Sequence, residues 1–67
     1  MFFIGLPMTT YTVVWTPDDS SVPSATWTDT SFITAKQDAW DLLKSYSPGV
    51  STAVITSDDG TITKVGV

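Results

Sequence analysis

Apolar and polar residues alternate along Tyr11-Thr12-Val13-Val14-Trp15-Thr16, which places Tyr11, Val13 and Trp15 on one face of a strand. β-Branched and aromatic side chains suit a pleated, half-buried surface, so this stretch carries a clear strand signal. The segment Pro17-Asp18-Asp19-Ser20-Ser21-Val22-Pro23-Ser24 ends it, because prolines among small polar residues favour a loop and Pro23 has no N–H to give a ladder. Ala25-Thr26-Trp27-Thr28 alternates again. It reads either as a short second strand beside the first or as a polar ordered loop.

The period then changes. At about 100° per residue, Ala35, Ala39, Leu42, Leu43 and Tyr46 fall in one apolar stripe, while Asp38 and Asp41 are expected to face water. Thr34-Ala35-Lys36-Gln37 fits a capping box, which predicts a helix start with Thr34 as the N-cap. Pro48-Gly49 supplies the stop. Beyond it, Ser51 to Ser57 and Thr61 to Val67 read as two strands joined by Asp58-Asp59-Gly60, a three-residue hairpin loop with glycine in the left-handed position. That register sets Ile55 opposite Thr63 and Ala53 opposite Val65. Ala53, Ile55, Val65 and Val67 then share a face under the helix, and Val54, Thr56, Ile62 and Lys64 take the other. A slip by one residue would turn Lys64 inward, so the pairing is specified.

The pattern predicts an α+β fold: one amphipathic helix packed on a small, mostly antiparallel sheet, in the order β-β-α-β-β, or β-α-β-β if Ala25 to Thr28 is loop. Residues 9–67 make a single domain and residues 1–8, MFFIGLPM, an apolar arm ahead of it. The arm is far short of the ~20 residues of a membrane span. It also lacks the basic start of a signal peptide and is broken at Gly5 and Pro7. Fully extended it reaches about 26 Å, against a domain radius of gyration of about 11 Å. Phe2, Phe3, Ile4 and Leu6 cannot all point into one narrow core, so the arm is expected to dock on a partner more readily than on its own domain. Met8 is a second candidate start.

Composition narrows the chemistry. With 67 residues, a domain buries only about 60% of its unfolded surface and usually needs a staple. The chain has no cysteine and no histidine, which removes disulfides, thiolate metal sites and the commonest general base. Self-association remains as the staple. Seven aspartates face three lysines, with no glutamate or arginine, for a net charge of −4. Lys36, Lys44 and Lys64 are too few and scattered for a nucleic-acid surface.

Asp58-Asp59-Gly60 fails as a calcium loop. With Gly60 at its sixth position the twelfth is Gly66, where a bidentate glutamate is required. Asp18-Asp19 reads as a solvated loop. No glycine-rich phosphate loop and no nucleophile–base pair is visible, so no catalytic, cofactor or metal residue is assigned and the protein is not expected to be an enzyme. The informative side chains are aromatic. Trp15 and Tyr46 are expected in the core. Trp40 lies on the flank of the apolar stripe, one turn after Lys36, where it either closes the core edge or forms a contact surface. Trp27 is treated alike.

The expected function is a non-enzymatic structural or protein–protein interaction subunit of a larger assembly, with a small virion accessory or decoration protein as its finest form. The interface residues would be Phe2, Phe3, Ile4, Leu6, Trp27 and Trp40, helped by the Thr61 to Val67 edge. The alternative is a small acidic regulator or inhibitor that binds and blocks one macromolecular target by adding its edge strand to a partner sheet. A protein partner or self-association is expected, with no nucleic acid, membrane or small-molecule substrate. A soluble location, cytoplasmic or virion-associated, goes with either reading.

Overall fold

The computed structural model describes residues 9–66. The elements follow the order β1 (Tyr11–Pro17), β2 (Ala25–Asp29), α1 (Phe32–Ser45), β3 (Ser51–Ser57) and β4 (Ile62–Val65). The four strands form one antiparallel sheet in the order β2-β1-β3-β4, with α1 against one face. This is the α+β fold, in its five-element form, that the residue pattern predicts. Ala25 to Thr28 is strand rather than loop, with Thr12 opposite Thr28 and Val13 opposite Trp27. The arm residues Phe2, Phe3, Ile4 and Leu6, and the terminal Val67, lie outside the described residues.

Among the described residues Val13 and Ile55 are the largest fully buried side chains, and Val13 faces Ile55 across the β1–β3 ladder. Ala35 and Ala39 of the helix are also fully buried. Spaced four apart, these methyls share one helical face and let the backbone settle close on the sheet. Aromatic pairs pin both ends of this contact. Tyr11 meets Phe32 at 5.5 Å between ring centroids, and Trp15 meets Tyr46 edge-on at the same distance. The helix therefore runs along β1, its start over Tyr11 and its end over Trp15.

The hairpin has the expected register, Ile55 opposite Thr63 and Ala53 opposite Val65, with Gly60 at φ +91°. Three local expectations need correction. The helix starts earlier than Thr34: Ser31 is the N-cap, its Oγ accepting from the Thr34 N–H at 3.3 Å, and Phe32 is thereby brought onto the core beside Tyr11. Pro17 is the last rung of β1: β2 ends opposite Trp15, so no β2 residue pairs with Pro17, and on the β3 side the next donor, Asp18 N–H, bonds to the Val50 carbonyl at 2.9 Å. At the helix end Tyr46 is the right-handed C-cap, and the turn passes through a cis Ser47–Pro48 bond with Gly49 outside the left-handed region.

Candidate functional site

The helix end, the turn after it and the last residues of the β3–β4 hairpin enclose an open groove of about 520 Å³. Trp40, Leu43 and Lys44 form its helical wall, Pro48, Gly49 and Val50 its rim, and Ser51 and Gly66 its strand side. The turn is held firmly: Ser47 N–H donates to the Lys44 carbonyl at 3.1 Å and Gly49 N–H to the Tyr46 carbonyl at 2.7 Å. Gly66 has φ +118°, and a Cβ there would stand 3.3 Å from the Ser51 carbonyl oxygen and 3.4 Å from Leu43 Cδ1. Glycine thus lets the chain leave β4 close under Leu43.

Two properties set this groove apart. Its apolar rim is open, with Trp40 41% and Val50 56% exposed. At its strand side Ser51 is only 7% exposed, and its hydroxyl has no hydrogen-bond partner among the described residues. A buried hydroxyl left unpaired costs about 1–3 kcal/mol, which a bound acceptor or donor would recover. Trp15 Nε1 is similarly unpartnered, on the same sheet face. Among the described residues, the groove's charged side chain is Lys44.

Trp40 also borders a second hollow of about 460 Å³, shared with Ile33, Lys36, Gln37, Asp41 and Lys44. Ile33 is 68% exposed there. Lys36 leans away, its Nζ 5.5 Å from the Phe32 ring centroid. Trp40 therefore stands between the groove at the helix end and a second hollow on the outer side of the helix.

Trp27 behaves differently. It is half-buried against the core, and its indole N–H donates to Asp29 Oδ2 at 3.0 Å. It borders a shallow hollow with Asp38, Asp41 and Leu42, so the two tryptophans share no depression. Asp38, expected in water, is half-buried instead. Partial burial raises its pKa, and the neighbouring Asp29 carboxylate, carried onto the helix side of β2 by strand alternation, raises it further. Leu42, Leu43 and Tyr46 are half-buried rather than fully enclosed. Burial and the nearby Asp18 carboxylate, whose Oδ1 accepts the Tyr46 hydroxyl at 3.3 Å, lift the Tyr46 pKa.

Val50, Ser51 and Gly66 are groove residues that pattern reasoning did not single out. Ser51 could have been found: it shares the parity of Ala53 and Ile55, so alternation alone turns its hydroxyl towards the helix. Among the described residues, no group of three or more acidic side chains could hold a metal ion. None of their helices is long and apolar enough to cross a membrane. No protein-family model, curated protein or solved structure matches the chain.

Proposed function

We propose that the protein is a non-enzymatic structural subunit that works by protein–protein contact within a larger assembly. The observation that supports this reading best is the Trp40–Val50 groove. Large apolar side chains stand half open to solvent there, beside a buried serine that still needs a hydrogen bond. Tryptophan is enriched among the side chains that anchor protein interfaces, and Trp40 and Val50 both leave apolar surface open at this groove. A virion accessory or decoration subunit is the finer form of the proposal, suggested by a short, cysteine-free chain rich in threonine.

The second reading is a small regulator that blocks one target. It draws on the sheet order, in which β2 and β4 are the outer strands among the described residues and could extend a partner's sheet. Purification of the full chain from its natural source distinguishes the two. Recovery in many identical copies, alone or on one large particle, is the expected result. A monomer bound one-to-one to a single unrelated protein would replace the assembly reading with the regulator.

A further inference from the structure

We propose that the Trp40–Val50 groove receives residues 2–6 of a second copy of the chain, so that the apolar arm of one molecule docks on the helix end of the next. The inference rests on the assembly reading and names the contact through which copies join.

The occupant follows from reach and chemistry. The arm enters β1 beside the β3–β4 turn, where Thr10 N–H donates to Asp58 Oδ1 at 2.8 Å. The groove lies at the other end of the same ladder, since Tyr11 pairs with Ser57 whereas Pro17 pairs with Ser51. Six strand steps separate those ends, about 20 Å. Measured back from Thr9, Phe2 lies seven residues away and reaches at most about 23–25 Å along a straight line. The helix occupies the direct path over the inner face. Folding back on its own domain, the arm could bring Phe2 to the groove only at full stretch, and Phe3, Ile4 and Leu6 would fall short. A neighbouring molecule's arm has no such limit.

The chemistry agrees. Phe2, Phe3, Ile4 and Leu6 are apolar and no side chain from Met1 to Met8 carries charge, which suits a groove walled by Trp40, Leu43, Pro48 and Val50. An extended segment also presents a free backbone carbonyl or N–H at each step. One of these would satisfy Ser51 Oγ, which has no partner among the described residues.

Two variants test the docking by complementation. One lacks residues 1–7 and begins at Met8, keeping the groove without the arm. The other is Val50→Asp in the full chain, keeping the arm and placing a carboxylate on an exposed rim position, where folding is not at stake. Sedimentation equilibrium over a wide concentration range gives their masses, with circular dichroism to verify the fold. The expected result is self-association of the parent, a monomer for each variant, and a one-to-one heterodimer when the variants are mixed. Should the parent associate while both variants keep its mass, the arm–groove contact is wrong and the assembly reading stands. Variants that stay monomeric on mixing also overturn the contact. A parent that is monomeric at every concentration overturns both the contact and self-assembly, and if it also unfolds more readily without residues 1–7 the arm folds on its own domain.

Discussion

Gly49 and Tyr46 fit together with no room to spare. A Cβ on Gly49 would lie 2.5 Å from Tyr46 Cε2 and 2.8 Å from the Tyr46 carbonyl oxygen. That ring cannot simply swing aside, because its other contact is the edge-on pair with Trp15. Gly49→Ala should therefore cost about 1–3 kcal/mol through overpacking alone, read as a lower urea midpoint. Charge acts at the same scale. Asp38 has a folded pKa above its ordinary value of 3.8, so its ionisation works against folding at neutral pH. That penalty is complete above the folded pKa, eases as pH falls through it, and has gone below 3.8. Asp38→Asn should raise the unfolding midpoint at pH 7 and leave it unchanged in acid below that value. Asp59 has the opposite sign. The Ser57 hydroxyl and Thr61 amide hold its pKa at about 2, so its contribution is present above 3.8 and fades as pH falls towards 2. Asp59→Ala should lose stability at neutral pH, and the gap to the parent should narrow through that window.

Among the elements, the helix start gives a sharp test. Ser31 rather than Thr34 caps α1, so Ser31→Ala should cost about 1 kcal/mol. Thr34→Ala, at an exposed position inside the first turn, should stay within about 0.5 kcal/mol. Reversed magnitudes in thermal melts would restore the later start. The hairpin register gives another pair. Ile55 is 1% exposed and Ile62 62% exposed; their alanine variants should cost about 2–5 kcal/mol and less than about 0.5 kcal/mol. The β3–β4 hairpin and its register were legible because alternation has period 2 and one misplaced lysine penalises any slip. The pairing of β1 with β3 was not, since nothing local to either strand names its neighbour, and Ala25 to Thr28 is too short for alternation alone to separate strand from loop. The helix boundary was not legible either. Ser31 and Thr34 are both competent caps, and what chooses between them is the packing of Phe32 on Tyr11, a contact between residues distant in the chain. Asp38 was misplaced for the same reason, since nothing local to α1 reveals that Asp29 lies across from it.

At the scale of the domain, the fully enclosed side chains among the described residues are few and mostly small, with Val13 and Ile55 the largest. A domain with so thin an interior should gain much of its resilience from association, and its Tm should rise with protein concentration. A melting point constant across a hundredfold dilution series would show that it stands alone. Trp40 was legible as a flanking aromatic from helical spacing. The groove beside it was not, because its far wall is assembled from the turn at Val50 and the exit at Gly66, which only the closed hairpin brings under the helix. The placement of arm root and groove at opposite ends of the β1–β3 ladder has one more consequence. Unlike surfaces that meet head to tail leave a fresh pair of free ends after every addition. Growth then stops only if the rotation per step closes a ring, and otherwise continues as a filament whose length is set by supply.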